Sequence, residues 1–129
     1  MDITGNGPIA LAERRLNWAE GRQRVLAQNI ANADTPGYRA QDVRPFAQVL
    51  ANTRNPPLSV TQPGHVASVG GVLRPRADRN TQERTPDGNT VSLDEQALRM
   101  ADTNGDHELA MNLHRKYLTL FRTALGRTS

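Results

Sequence analysis

Apolar and small residues recur at alternating steps of three and four over two stretches, one at each end of the chain. In the first they fall at Ile9, Ala12, Leu16, Ala19, Leu26, Ile30 and Ala33, with Gln23 in the single polar slot. In the second the line runs Ala97, Met100, Asn104, His107, Met111, His114, Leu118, Phe121 and Leu125. This alternation returns side chains to one face of a helix and marks a coiled-coil-like seam. The spacing therefore predicts a helix over 8–33 and another over 92–125. Pro8 suits the first helical position, where a missing N–H is harmless. Thr35-Pro36-Gly37 should end the first helix, because the residue before proline resists helical angles and Pro-Gly fits the centre of a type II turn. Ser92-Leu93-Asp94-Glu95 reads as a capping box, and Gly126 offers a stop. At ~1.5 Å per residue each helix would be roughly 40–50 Å long.

Between them, from about Tyr38 to Thr90, the pattern fails. Seven of the eight prolines lie between Thr35 and Asp87. Asn55-Pro56-Pro57, Pro63-Gly64, Gly70-Gly71 and Pro86-Asp87-Gly88-Asn89 all mark turns. Leu58-Ser59-Val60 and Val66-Ala67-Ser68-Val69 are the candidate short strands. The expected fold is mainly α: two long terminal helices packed as a coiled-coil-like hairpin, with an extended, loop-rich middle, the whole of 1–129 acting as one unit.

Composition changes this picture in one respect. The chain is 36% hydrophobic and only 4% aromatic. Aromatic side chains supply much of the buried area of most cores, so the helices should need partners to cover their apolar faces. Cysteine is absent, which excludes disulfides and thiol chemistry. No stretch approaches the ~20 apolar residues of a membrane span. The start, Met1 to Gly7, lacks the basic and apolar regions of a secretory signal.

Candidate chemistry is sparse. The net charge is +3, carried mostly by arginine. The densest arginine stretch, Arg74 to Arg84, holds no aromatic residue and includes Asp78 and Glu83, against a nucleic-acid site. Asp102-Thr103-Asn104-Gly105-Asp106 begins like a calcium loop. His107 then stands where glycine is needed and Leu113 where the bidentate glutamate is needed, so it reads as a glycine-weakened helical turn. His107 and His114 share a helix face but lie about 10.5 Å apart along the axis, too far for one zinc ion. No nucleophile motif or phosphate loop is present. The residues predict neither catalysis nor a cofactor.

One string is specific. Gln28-Asn29-Ile30-Ala31-Asn32-Ala33-Asp34-Thr35-Pro36-Gly37-Tyr38-Arg39 resembles the N-terminal hallmark of the flagellar rod and hook proteins, most of all in its proximal-rod form. The hallmark positions are Asn29, Ile30, Ala31, Asn32, Thr35, Pro36, Gly37 and Tyr38. Pro86-Asp87-Gly88-Asn89-Thr90-Val91-Ser92-Leu93-Asp94-Glu95-Gln96 and Phe121-Arg122-Thr123-Ala124-Leu125 resemble two further stretches of the same family, in the same order. Where His107 and His114 stand, the family usually has larger apolar residues. The resemblance implies a structural subunit of a tubular helical rod that carries torque across the periplasm. Its expected partners are copies of itself, other rod subunits, the protein joining the rod to the MS ring, and the flagellar type III export gate. It implies no nucleic acid, no membrane insertion and no cofactor, with export lacking a cleaved signal. Phe46-Ala47-Gln48-Val49-Leu50 resembles a short export signal, with Phe46 and Leu50 as its anchors on a segment expected to be extended before assembly. The alternative is a soluble helical-hairpin binding module, such as an export adaptor or regulator.

Overall fold

The computed structural model describes residues 7–54, 73–80 and 85–126. The elements are α1 (Pro8–Ala31), β1 (Gln41–Asp42), α2 (Phe46–Arg54), β2 (Arg76–Ala77) and α3 (Leu93–Leu125). The two terminal helices are long, as the seams predict, and they pack against each other. The candidate strands at 58–60 and 66–69 lie outside the described residues.

α1 begins at an extended Gly7 with Pro8 at its first position, and no side chain caps it. It ends two residues earlier than the seam implies. The Asn32 N–H donates to the carbonyls of Gln28 and Asn29, both at 3.1 Å, and the Asn32 amide donates to Gln28 O at 2.9 Å. That side-chain bond competes with further helical winding, so Ala33 falls in the turn. α3 starts as predicted, with Ser92 Oγ accepting from the Glu95 N–H and acidic Asp94 and Glu95 in the first turn. The Asn104-Gly105-Asp106 stretch stays helical throughout.

The pair is antiparallel. His114 faces Glu13, His107 faces Glu20, Asn104 faces Gln23 and Gln96 faces Asn29. In α1 a line of Ala12, Ala19 and Leu26 is buried, and in α3 a line of Gln96, Thr103 and Ala110. Both lines step by seven, and the antiparallel register sets them side by side. Small residues at these layers let the helices approach closely.

α1 also packs on its other side. Trp18, Ala19, Val25 and Val43 form the apolar cluster, with Phe46, Val49 and Leu73 against it. Gly21 makes room for this layer, since a β-carbon there would stand 2.7 Å from Leu73 Cδ1. Trp18 meets Phe46 edge-on at 6.0 Å between centroids and donates its indole N–H to the carbonyl of Arg44 at 2.7 Å. β1 and β2 pair antiparallel, Gln41 with Ala77 and Asp42 with Arg76.

Four sequence-based expectations need correction. The segment bearing Phe46 and Leu50 is helical, not extended, because Phe46 and Val49 reach the Trp18 cluster from one face of α2. Ile30 is 39% exposed, and its neighbour Asn29 is the buried residue. Ala97 and Leu125 are exposed, and the packed line of α3 runs one position earlier, through Gln96 and Thr103. Ala33 lies beyond the helix. Ile30 and Ala97 share one reason: the polar side chains of Asn29 and Gln96 occupy the closest packing positions, which a hydrophobicity pattern cannot register.

Candidate assembly site

The hallmark residues at the end of α1 and the 86–96 stretch before α3 form one hydrogen-bonded junction. Asn29, completely buried, uses its whole amide. Its Nδ2 donates to the Gln41 carbonyl at 2.7 Å and to Gln96 Oε1 at 2.9 Å. Its Oδ1 accepts from the Gln41 N–H at 3.0 Å and from the Tyr38 hydroxyl at 3.3 Å. One side chain thus ties α1, β1, the turn and α3 together.

Asn89 does the same from the other strand of the junction. Its Nδ2 shares two hydrogens among the carbonyls of Asn32, Ala33 and Thr35, at 3.0, 2.8 and 2.7 Å. Those carbonyls belong to the turn that follows α1, where Asn32 O and Thr35 O also accept the N–H groups of Thr35 and Tyr38. Its Oδ1 accepts from the Val91 N–H at 2.8 Å. The Thr35-Pro36-Gly37-Tyr38 turn closes with the Tyr38 N–H on Thr35 O at 3.2 Å, with Gly37 at φ +70. Gly88 is also left-handed, at φ +82, and its missing β-carbon would lie 3.6 Å from Gly37 Cα. Two turns therefore sit back to back at positions only glycine adopts readily. The Gly37 N–H donates to Asp87 O and the Thr90 N–H to Tyr38 O, both at 3.0 Å. Asp87 accepts from the Thr85 hydroxyl and from the Asn89 N–H, and these bonds hold its carboxyl below the usual carboxylate range.

Beside the junction lies a charged cluster that the sequence reading did not find. Arg22 grips Asp42 with two bonds, Nε to Oδ1 at 3.0 Å and Nη2 to Oδ2 at 2.9 Å. Arg99 of α3 reaches Asp78 at 2.6 Å, Asp42 at 3.3 Å and also Glu95. Burial pushes the Arg99 pKa down, but the Asp78 hydrogen bond and the charges of Asp78, Glu95 and Asp42 together push it up further. Arg99 therefore stays cationic and pins β1 and the residue after β2 to α3. Arg15 lies over both rings, 4.8 Å from the Trp18 centroid and 4.7 Å from Phe46, and pairs with Asp106 at 2.7 Å.

The other end of the helix pair is sparser. His107 Nε2 stands 3.5 Å from Glu20, and His114 Nε2 stands 3.3 Å from Glu13. Met111, Leu118 and Phe121 are half-buried at this end, as are Ile9 and Leu16 on α1, while Met100 is half-buried one turn from Gln96. Leu50 is half-buried on α2. Of the hallmark residues, Ile30, Ala31, Thr35, Pro36 and Gly37 are exposed.

The chain was compared with known proteins. Residues 9–39 match the family model described as "Flagella basal body rod protein". The "Flagellar basal body rod protein FlgB" of Agrobacterium fabrum is 31% identical over 112 residues, covering 83% of this chain and 84% of that protein. The chain belongs to the FlgB family of flagellar basal body rod proteins. The FlgB of Salmonella typhimurium is 33% identical over 116 residues, with 81% of this chain and 83% of that one covered. The FlgB of Escherichia coli K12 is 33% identical over 115 residues, with coverages of 81% and 82%. The family match covers α1 and its closing turn, one half of the junction. The FlgB family is structural and not enzymatic, which agrees with a site made of hydrogen bonds and packing. Asn89 was visible in sequence only as part of a resembling string, and Gln96 only as its last letter. Gln96 pairs with Asn29, and Asn89 with the carbonyls of the turn after α1, which supplies a physical reason for both strings.

Proposed function

We propose that this chain is a structural subunit of the proximal rod of the flagellar basal body, one of many copies and relatives stacked into a tube that transmits torque. The observation that carries the reading is the junction. A drive shaft needs subunits whose two long helices keep a fixed relation under load, and Asn29 and Asn89 lock that relation with a buried, shared network. Membership of the FlgB family sets aside the adaptor reading. Assembly with rod subunits follows from the family. The protein joining the rod to the MS ring and the export gate are the specific partners we add to that. No helix among the described residues is long and apolar enough to cross a membrane, and the family places the chain in the rod.

The site residues fall into three roles in this proposal. Ala12, Ala19 and Leu26, with Met100, His107, Met111 and His114, hold the helix pair. Exposed Ile30, Ala97 and Leu125 remain for neighbouring subunits. Phe46 and Leu50 serve export. Phe46 is packed on Trp18 and under Arg15 in the folded subunit, so the gate would meet it only before α2 has docked, on a chain passing through unfolded.

The junction is tested by Asn89→Ala, which removes the donor shared by three turn carbonyls without touching the helix seams. The variant should be produced and exported but absent from isolated basal bodies, with motility lost. Normal incorporation would remove the junction from the argument. Export is tested by changing Phe46 and Leu50 to Ala. The chain should then stay in the cytoplasm while other rod subunits leave. Secretion at normal levels with no rod formed would make α2 an assembly contact instead.

A further inference from the structure

The outer face of α3, turned away from α1, carries a second line of residues at steps of three and four: Leu98, Asp102, Gly105, Leu109, Leu113, Lys116 and Leu120. All but Leu113 stand well out of the surface, with Leu98, Leu109 and Leu120 at 69%, 59% and 56% exposure and Leu113 at 39%. Asp102 and Lys116 have no ion-pair partner among the described residues. Nothing lies within 4 Å of where a Gly105 β-carbon would be, so the line has a notch there.

The line reads the same from both ends. Leu98 and Leu120 lie equally far from Leu109, as do Asp102 and Lys116, and Gly105 and Leu113. We propose that this face pairs with the same face of a second copy of the chain, antiparallel, about a two-fold axis at Leu109. In that register Leu98 meets Leu120 twice, Leu109 meets itself, and Leu113 of each copy enters the other's Gly105 notch. Asp102 meets Lys116 at both ends. Two parallel registers fail on charge or on burial. Two copies side by side in the same direction would set Asp102 on Asp102 and Lys116 on Lys116. Sliding them until Asp102 meets Lys116 would set Leu98 against Asn112 and Leu109 against Thr123. Like charges directly opposed are unfavourable, and leucines set against amide and hydroxyl groups gain little.

This goes beyond the rod reading and does not depend on it. Two-fold contacts close on one pair, whereas helical arrays grow through head-to-tail contacts that never close. The pair is therefore a form of the free subunit, and it covers the leucines of α3 until incorporation opens it.

The chain has no cysteine, so thiols can be placed at will in the full-length protein. In the pair, the two copies of residue 98 lie about 33 Å apart along the helix axis, and so do the two copies of residue 120. Leu98→Cys alone and Leu120→Cys alone should therefore stay unlinked under mild oxidation, while an equal mixture of the two should yield a disulfide-linked dimer. In sedimentation equilibrium, Asp102→Lys should weaken dimerisation about tenfold, and Asp102→Lys with Lys116→Asp should restore it. Both positions are exposed, and circular dichroism of each variant checks that the helices persist. A wild-type chain that sediments as a monomer at every concentration overturns the proposal. So do single-cysteine variants that link as readily as the mixture. Neither result touches the rod reading, which stands or falls on incorporation into basal bodies.

Discussion

The two ends of the α1–α3 pair are built differently. Where α1 ends and α3 begins, polar side chains are buried and joined: Asn29 makes four hydrogen bonds, Asn89 three carbonyl contacts, and Arg99 meets three carboxylates. At the opposite end the helices touch through alanines, half-buried methionines and two His–Glu pairs whose glutamates are mostly in water. An apolar contact tolerates sliding, because its energy depends on area and not on direction. A saturated buried amide does not, because any slip leaves a donor or acceptor without a partner. The junction end thus defines how the helices relate, and the far end follows and adjusts.

Breaking the junction should produce the largest effect. Asn29→Ala removes partners from the Gln41 N–H and C=O, Gln96 and Tyr38 at once, and should cost about 3–4 kcal/mol in urea unfolding. A cost under about 1 kcal/mol would mean that water replaces the amide freely. Arg99→Ala should come next, at about 2–3 kcal/mol, because Asp78 loses its cation while Asp42 keeps Arg22. Thermal melts of the single and paired Arg99 and Asp78 variants would isolate their coupling.

At the far end the sign reverses. Gly105→Ala meets no neighbour within 4 Å and should stabilise the chain by about 1 kcal/mol, the helix propensity gained. Replacing both His107 and His114 with Gln should change stability by less than ~0.5 kcal/mol at neutral pH, as expected of exposed pairs. If it costs as much as Asn29→Ala, the two ends are not different in kind. The smallest effect is a local one. The Asp87 pKa is lowered by the Thr85 hydroxyl and the Asn89 N–H, so its contribution is whole above the ordinary value of 3.8 and fades as pH falls through the lower folded value. Amide exchange at Asn89 and Gly88 should therefore speed up in acid before α1 or α3 loosens.

The helices, the Ser92 cap of α3 and the turn at Thr35-Pro36-Gly37 were legible because period, proline and glycine act locally. The inner line of α3 was not. Gln96 and Thr103 sit at its closest contacts, and a pattern built from apolar residues moved the seam one position onward, to Ala97 and Asn104. Ile30 was assigned to the core for the same reason, when its polar neighbour Asn29 holds that place. The hallmark string was legible as a resemblance, and its purpose was not. Nothing local shows that Asn29 bonds a glutamine far along the chain, or that Asn89 holds the turn that follows α1. α2 was read as extended since its anchor, Trp18, stands on another element. The arginine–carboxylate cluster was invisible because Arg22, Asp42, Asp78 and Arg99 are scattered in sequence and meet only through the β1–β2 pairing.

That same pairing makes a neck. Ala40 O accepts from the Asp78 N–H at 2.9 Å, β1 lies on β2, and the Gly37 N–H donates to Asp87 O just above. The chain therefore leaves at Ala40 and returns at Asp78 with those two points already fastened together. A clasp of this kind lets the two long helices keep their register whatever length of chain runs between its ends.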